Sequence, residues 1–402
     1  MQVLKPSDVR AARPRLYALP DLDAPRLATR PAVRALAIYV VSRLVVLAAV
    51  APTLLLGRDP GKGPWPFEPA GAPLLRLFGR WDAAWYVMIA RRGYPNPAWL
   101  RHHLSDVAFF PLHPLLLRLT VDATGLSPLV AGVALVTALG ALAAVLMWRL
   151  ADALGGTVVA DRATALVFLF PGAFCLSFIY AEPVMMVGLV GCLLALVRRR
   201  WVLAGLCGAV ATASRPNACV IIIACAWAAW EAVRRRREWA ALAAPVLAAA
   251  GVGAFVLYLW VHTGDATAWF RSERVMWHDH VSPTAVGHHF LKLLHHLPSL
   301  RSSGLNYLIL NLGLVFVVGS LLLLRRSRLP GPVTLYTVAA LLLPLTSVAV
   351  GPRPRMLLAA FPVAIAAAVR MSRRGFAVAA GLSAAGLACL SLLAATSLAA
   401  TP

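Results

Sequence analysis

Asp82 stands in a stretch, 72–93, whose apolar residues Leu74, Leu75, Phe78, Trp81, Trp85, Met88 and Ile89 recur at helical spacing. On such a helix Phe78 lies four residues before the carboxylate, Trp85 three after and Tyr86 four after, so Asp82 borders an aromatic surface. Burial against rings disfavours the charged form and raises a carboxyl pKa, which suits a proton acceptor. A plainer fate is also open to it, an ion pair with Arg80 on the helix surface. With Arg76, Arg80, Arg91 and Arg92 the stretch is too charged to span a bilayer. It is expected to lie in the interface plane with its aromatics toward the lipid.

Four other charged residues stand where charge is expensive. Glu182 lies at the boundary between two short apolar runs, where a carboxylate is costly unless paired or used. Arg215, followed by Pro216, occupies a turn between two more, suited to bidentate phosphate binding or to snorkelling toward headgroups. Arg353 and Arg355 flank Pro354 in the turn 351–355. The segment holding His278-Asp279-His280, His288-His289 and His295-His296 is rich in potential metal ligands but has no HExxH or similar spacing, so neither a metal nor another cofactor is expected. The stretch 107–121, with Pro111 and Pro114 suited to a helix start, reads as an interfacial strut rather than as the setting for a catalytic His113.

The elements that position these residues follow from composition. Of 402 residues, 60% are hydrophobic and 13% charged, against about a quarter charged in soluble domains, so one polytopic membrane domain is expected and soluble enzymes are excluded. A net charge of +22 would suggest nucleic acid in a soluble protein. Here the arginines cluster between apolar runs, where they set topology and meet anionic lipid. The six cysteines lie inside apolar runs with no CxxC pair and read as small core residues. About eleven apolar runs are found, near 33–56, 128–150, 163–180, 183–197, 201–213, 218–231, 239–262, 305–324, 333–350, 356–369 and 375–398; the shorter ones need tilt or protein cover to cross.

If every run crosses, the basic N-terminus, Arg198 to Arg200, Arg234 to Arg237, Arg325/Arg326/Arg328 and Arg370/Arg373/Arg374 share one side, the cytoplasmic one. That arrangement gives a basic cytoplasmic tail over 1–32, a transmembrane domain over 33–402, and outer loops of about 57–127 and 263–304. The tail has no apolar stretch or cleavage site, so the first span is expected to act as its own insertion signal. The loops hold or border all ten histidines. Asp82, Glu182, Arg215, Arg353 and Arg355 then all fall outside, and the last two break the positive-inside trend. Two cations kept there are candidates for a lipid phosphate.

Several of these residues also form an ordered set of motifs. Arg80-Trp81-Asp82-Ala83-Ala84-Trp85-Tyr86, continuing to Ile89-Ala90 and Gly93-Tyr94, resembles the RWDAxWYxxIAxxGY signature of bacterial PIG-V-like mannosyltransferases, membrane glycosyltransferases of the GT-C class. Phe109 to Pro114 is similar to the family's FFPLYP, with His113 in place of Tyr; Tyr180-Ala181-Glu182-Pro183 resembles Y-[ST]-E-S; Ser214-Arg215-Pro216-Asn217 resembles TRPN. The likeness covers about residues 35–235. It implies an all-α polytopic GT-C-like fold with about eleven transmembrane helices plus interfacial helices, and transfer of mannose from a polyprenyl-phosphate donor to an outer glycan, glycolipid or protein acceptor.

Such transfer needs a base for the acceptor hydroxyl and cations for the leaving phosphate. Of the nine acids expected outside (Asp59, Glu68, Asp82, Asp106, Asp122, Glu182, Asp265, Glu273 and Asp279), Asp82 joins interfacial depth, aromatic neighbours and the family motif. It is the expected catalytic base. Arg80, Trp81, Trp85, Tyr86, Glu182, Arg215, Asn217, Arg353 and Arg355 are the expected substrate-binding set. Direct displacement inverts the configuration and gives an α-linked product from a β-linked donor. The rival from another class is a lipid-linked sugar flippase or secondary transporter, but matched inverted repeats with broken helices are not evident in the sequence.

Overall fold

The apolar runs fold as helices because a lipid-embedded backbone must satisfy its own polar groups. The computed structural model describes residues 29–55, 71–94, 104–296 and 302–396. Of the expected tail over 1–32, residues 1–28 lie outside those described, as do Asp59, Glu68 and Trp99. Six helices are long and apolar enough to cross a membrane: Pro31–Leu54, Pro128–Gly155, Pro216–Arg236, Trp239–Thr263, Leu305–Arg325 and Arg373–Thr396. Three shorter apolar helices, Glu182–Val197, Trp201–Thr212 and Gly331–Thr346, accompany them. The runs near 163–180 and 356–369 become Thr157–Phe168 with a 3-10 turn, and Pro362–Arg370. Among the described residues the one piece of β structure is the bridge between Val281 and Ser347.

At about 1.5 Å per residue, the 12-residue Trp201–Thr212 helix falls well short of the roughly 30 Å hydrocarbon core. Packing compensates for the short helices. Nearly every residue of Glu182–Val197 is buried in protein, whereas the first span presents Val33, Val40, Val41 and Leu44 outward, as a lipid-facing surface requires. Three short 3-10 turns, Pro171–Leu176, Pro216–Val220 and Leu343–Thr346, bend the chain at the helix junctions, each opened by a proline or carrying one in its first positions.

The two ends of the bundle differ in charge. The Glu182–Val197 helix begins at a carboxylate and runs into Arg198, and Ile221–Arg236 begins just after Arg215 and ends in Arg234 to Arg236. The basic turns lie against one another: Arg199 pairs with Glu238, and Arg370 donates to the Arg326 carbonyl. Asp82, Glu182, Arg215 and Arg355 gather at the opposite end.

The stretch 72–93 departs from its expected form. It is two helices, Pro73–Phe78 and Asp82–Arg92, separated by a break at which Trp81 takes φ 59°. Tertiary bonds hold the break: Arg80 Nη1 donates to the Ala395 carbonyl and Trp81 Nε1 to the Ala394 carbonyl, each at 3.1 Å, docking the turn on the C-terminal helix. The expected aromatic face toward lipid is therefore corrected. Ala83, Ala84, Tyr86, Val87, Ile89 and Ala90 are buried in protein, and Arg91 and Arg92 are exposed. The strut expected over 107–121 starts as a helix at Leu112, with Pro111 as its cap and His113 fully buried.

Candidate functional site

Each of the four charged residues opens a helix or a 3-10 turn. Asp82 is the first residue of Asp82–Arg92 and Glu182 the first of Glu182–Val197, where the positive end of the helix dipole favours a carboxylate. Arg215 caps Pro216–Val220, and Arg355 follows Pro354 in the short turn Pro354–Leu357. Prolines 183, 216 and 354 mark these starts because a missing N–H costs nothing there.

Arg355 ties the group together. Its Nη2 donates to Asp82 Oδ2 and its Nε to Glu182 Oε1, and Arg215 Nη1 donates to the same Glu182 oxygen at 2.6 Å. The Arg355 guanidinium carbon lies 4.4 Å from the centroid of the buried Tyr180 ring, a cation–π contact. Two cations and two anions balance, which offsets the cost of burying Glu182, 1% exposed, and Arg355, 7% exposed, away from water. Asp82 is the accessible carboxylate, with 28% of its side chain exposed.

The electrostatics reverse the sequence expectation for Asp82. Burial alone raises its pKa, but Arg355 and, more distantly, Arg215 outweigh it and hold the carboxyl below its ordinary value. Arg355 itself is pushed above the usual guanidinium range: its burial is outweighed by Asp82 and Glu182. Burial lowers His113 to about 4, so its ring is neutral.

An aromatic wall stands beside Asp82. Trp85 stacks on Phe109 with centroids 5.5 Å apart, and Trp277 from the second loop meets both rings edge-on at 5.7 and 5.6 Å. Tyr86 is buried, edge-on to Phe109 and to His113. Two residues before Arg355, the half-buried Arg353 lines a cavity of about 280 Å³ with His278, His289, Asn306, Tyr307 and Leu310. Burial and the neighbouring Arg355 bring Arg353 down to about 10, with Asp279 opposing, so it remains a cation at neutral pH.

The turn carrying both arginines is clamped from three directions. A methyl group on Gly172 would overlap the Pro354 carbonyl, and one on Gly313 the Pro352 carbonyl. From the second loop, the Asp279 carboxylate accepts bonds from Ser347 Oγ, at 2.9 and 2.8 Å, and from the Ala349 N–H, at 2.9 Å. Several buried polar atoms near the cluster have no hydrogen-bond partner among the described residues, including Glu182 Oε2, Tyr180 Oη, Arg215 Nε and Asn217 Oδ1. Unsatisfied buried polar groups mark a site whose residues are not chosen for stability.

Of the expected site residues, the structure joins Asp82, Glu182, Arg215 and Arg355 directly and places Trp85, Tyr86 and Arg353 around them. Arg80 and Trp81 are engaged with the C-terminal helix. Trp277, His289, Asn306 and Tyr307 were not among the expected set; the misplaced cation Arg353 is the sequence signal that leads to the last three. Among the described residues, no three His, Cys, Asp or Glu side chains gather as a metal-binding group.

The structure of ArnT from Cupriavidus metallidurans, solved with undecaprenyl phosphate bound, superposes on this chain with a TM-score of 0.51 at 14% sequence identity. The fold is GT-C-like. The match covers 88% of this chain and 62% of that one, so the chain spans less than two thirds of the length of ArnT. No family model matches the sequence, and no curated protein does. The all-α polytopic architecture expected from the sequence is the observed one.

Proposed function

We propose that this multi-pass membrane protein is a glycosyltransferase that moves a sugar from a polyprenyl-phosphate donor to an acceptor hydroxyl outside the cytoplasmic membrane. The observation that carries the reading is Asp82, an accessible carboxylate held by the buried Arg355, three residues before the stacked Trp85, while Arg353, two residues before Arg355, lines a cavity. The fold shared with a protein that binds undecaprenyl phosphate supports a lipid-phosphate donor. Mannose as the sugar, and membership of the PIG-V-like family, rest on the motifs around Asp82, Glu182 and Arg215.

In the reaction the acceptor oxygen attacks the anomeric carbon as the bond from that carbon to the phosphate oxygen breaks, its electron pair leaving with the phosphate. Asp82, ionised throughout the neutral range, takes the hydroxyl proton. Arg353 and the polar wall of its cavity meet the growing charge on the phosphate. Trp85 and Trp277 offer rings to the sugar faces. Glu182 and Arg215 keep Arg355, and through it Asp82, in place. One displacement inverts the anomeric centre, so a β-linked donor gives an α-linked product.

The test is product analysis from proteoliposomes given polyprenyl-phosphate-mannose labelled in the sugar. A covalent α-linked product is expected. Label that crosses the bilayer still attached to its lipid, with no new glycosidic bond, would favour the flippase instead.

A further inference from the structure

We infer that Glu273, on the Ala268–Met276 helix of the second loop, is the second carboxylate of the reaction centre, taking up through water the proton that Asp82 removes from the acceptor hydroxyl and returning it to solvent. The inference rests on the transferase reading and adds a residue that reading does not use.

The geometry comes from two helices facing each other. Trp277, which caps the Ala268–Met276 helix four residues after Glu273 with its N–H on the Ser272 carbonyl, packs edge-on against Trp85 and Phe109, so the end of the helix that carries Glu273 docks beside Trp85. Trp85 in turn lies three residues after Asp82, on the Asp82 side of its own helix. The two tryptophans in contact therefore bring the two carboxylates toward one space, and the charges acting on Glu273 are those of Asp279, Arg215 and Asp82. The helix is fixed at both ends. Asp265 accepts from the Thr267 N–H at 2.8 Å and pairs with Arg271 at 3.2 Å, and the Asp279 N–H donates to the Glu273 carbonyl at 2.9 Å.

The elements packed on this helix bring few other titratable groups: Asp106 from Leu104–Ala108, and Tyr258 and His262 from Ala243–Thr263. Arg271 and Arg274 of its own helix are exposed. Burial, then Asp279, with a smaller push from Asp82, raise Glu273 to about 7 against the pull of Arg215. Arg355 does the opposite to Asp82. Two neighbouring carboxylates whose environments drive their proton affinities apart divide the work of holding charge and carrying a proton. The step balances: the acceptor hydroxyl loses its proton to Asp82, Asp82 passes it to Glu273, and the phosphate leaves as an anion with the bonding pair.

The experiment compares full-length wild type, Glu273→Gln, Glu273→Asp and Asp82→Asn in proteoliposomes, measuring single-turnover sugar transfer across roughly two pH units either side of 7. Wild type is expected to speed up with rising pH, with a midpoint near 7. Glu273→Gln is expected to be about 10²-fold slower and to lose that limb, and Glu273→Asp to keep a limb. Wild-type rate in Glu273→Gln, or an unchanged limb, overturns the inference while leaving Asp82→Asn to report on the transferase reading. If wild type transfers nothing, infrared difference spectra of wild type minus Glu273→Gln decide the matter separately. A carboxylic acid band titrating near pH 7 supports Glu273 as the proton-holding member of the pair, and no such band overturns it.

Discussion

Arg355 serves two carboxylates at once, and removing it would strand both. Arg355→Met is expected to destabilise the protein by roughly 3–5 kcal/mol, because one buried anion and one partly buried one lose their shared cation; thermal unfolding in detergent, with and without the substitution, measures this. A wild-type midpoint would show that the cluster does not hold the bundle together. Arg353 lines the cavity, so its loss should be felt by the lipid donor. Arg353→Gln is expected to raise KM for the lipid donor by about tenfold to a hundredfold, as loss of a charge-assisted phosphate contact does. An unchanged KM would move the phosphate elsewhere. Acid sensitivity follows from Asp82. Its proton affinity is lower folded than unfolded, so its contribution to stability is complete above about pH 4 and is lost as pH falls through the depressed folded value. Loss of Asp82-dependent stability already near neutral pH, seen by comparing wild type with Asp82→Asn, would contradict the pairing with Arg355.

At the scale of elements, the site depends on where helices begin. The turn holding Arg353 and Arg355 is seated by Gly172, whose place against the Pro354 carbonyl leaves no room for a side chain. Gly172→Ala should therefore push the turn outward, costing about 1–3 kcal/mol of stability and most of the transfer activity, although the residue touches no substrate. Activity at the wild-type level would show that the turn tolerates displacement. The elements themselves were largely legible. Each of the eleven apolar runs corresponds to a helical element, and the arginine clusters fall where helices end. The break at Trp81 was not legible, because a left-handed tryptophan is set by carbonyls more than 300 residues further along the chain. For the same reason the helical wheel put Phe78 beside Asp82, whereas Phe78 packs against Phe178.

Across the whole molecule, the carboxylates and arginines of the site come from stretches that share no local pattern. Asp82 and Arg355 are 273 positions apart, so the sequence marks each as out of place in an apolar chain but not as partners. The pairing also explains why the pKa expected for Asp82 had the wrong sign: aromatic neighbours were visible in the sequence and the cation was not. Charge separates the two ends of the bundle, with basic turns at one and the balanced cluster at the other. If the cluster end faces out, cysteines placed in the second loop should react with impermeant thiol reagents in intact cells, whereas those placed beside Arg199 should not; the reverse labelling would invert the proposed topology. The most direct test of the central claim is transfer from labelled polyprenyl-phosphate-mannose by wild type and by Asp82→Asn at equal expression. Product is expected from wild type and at least about 10²-fold less from Asp82→Asn, and equal transfer by both would remove Asp82 from the chemistry.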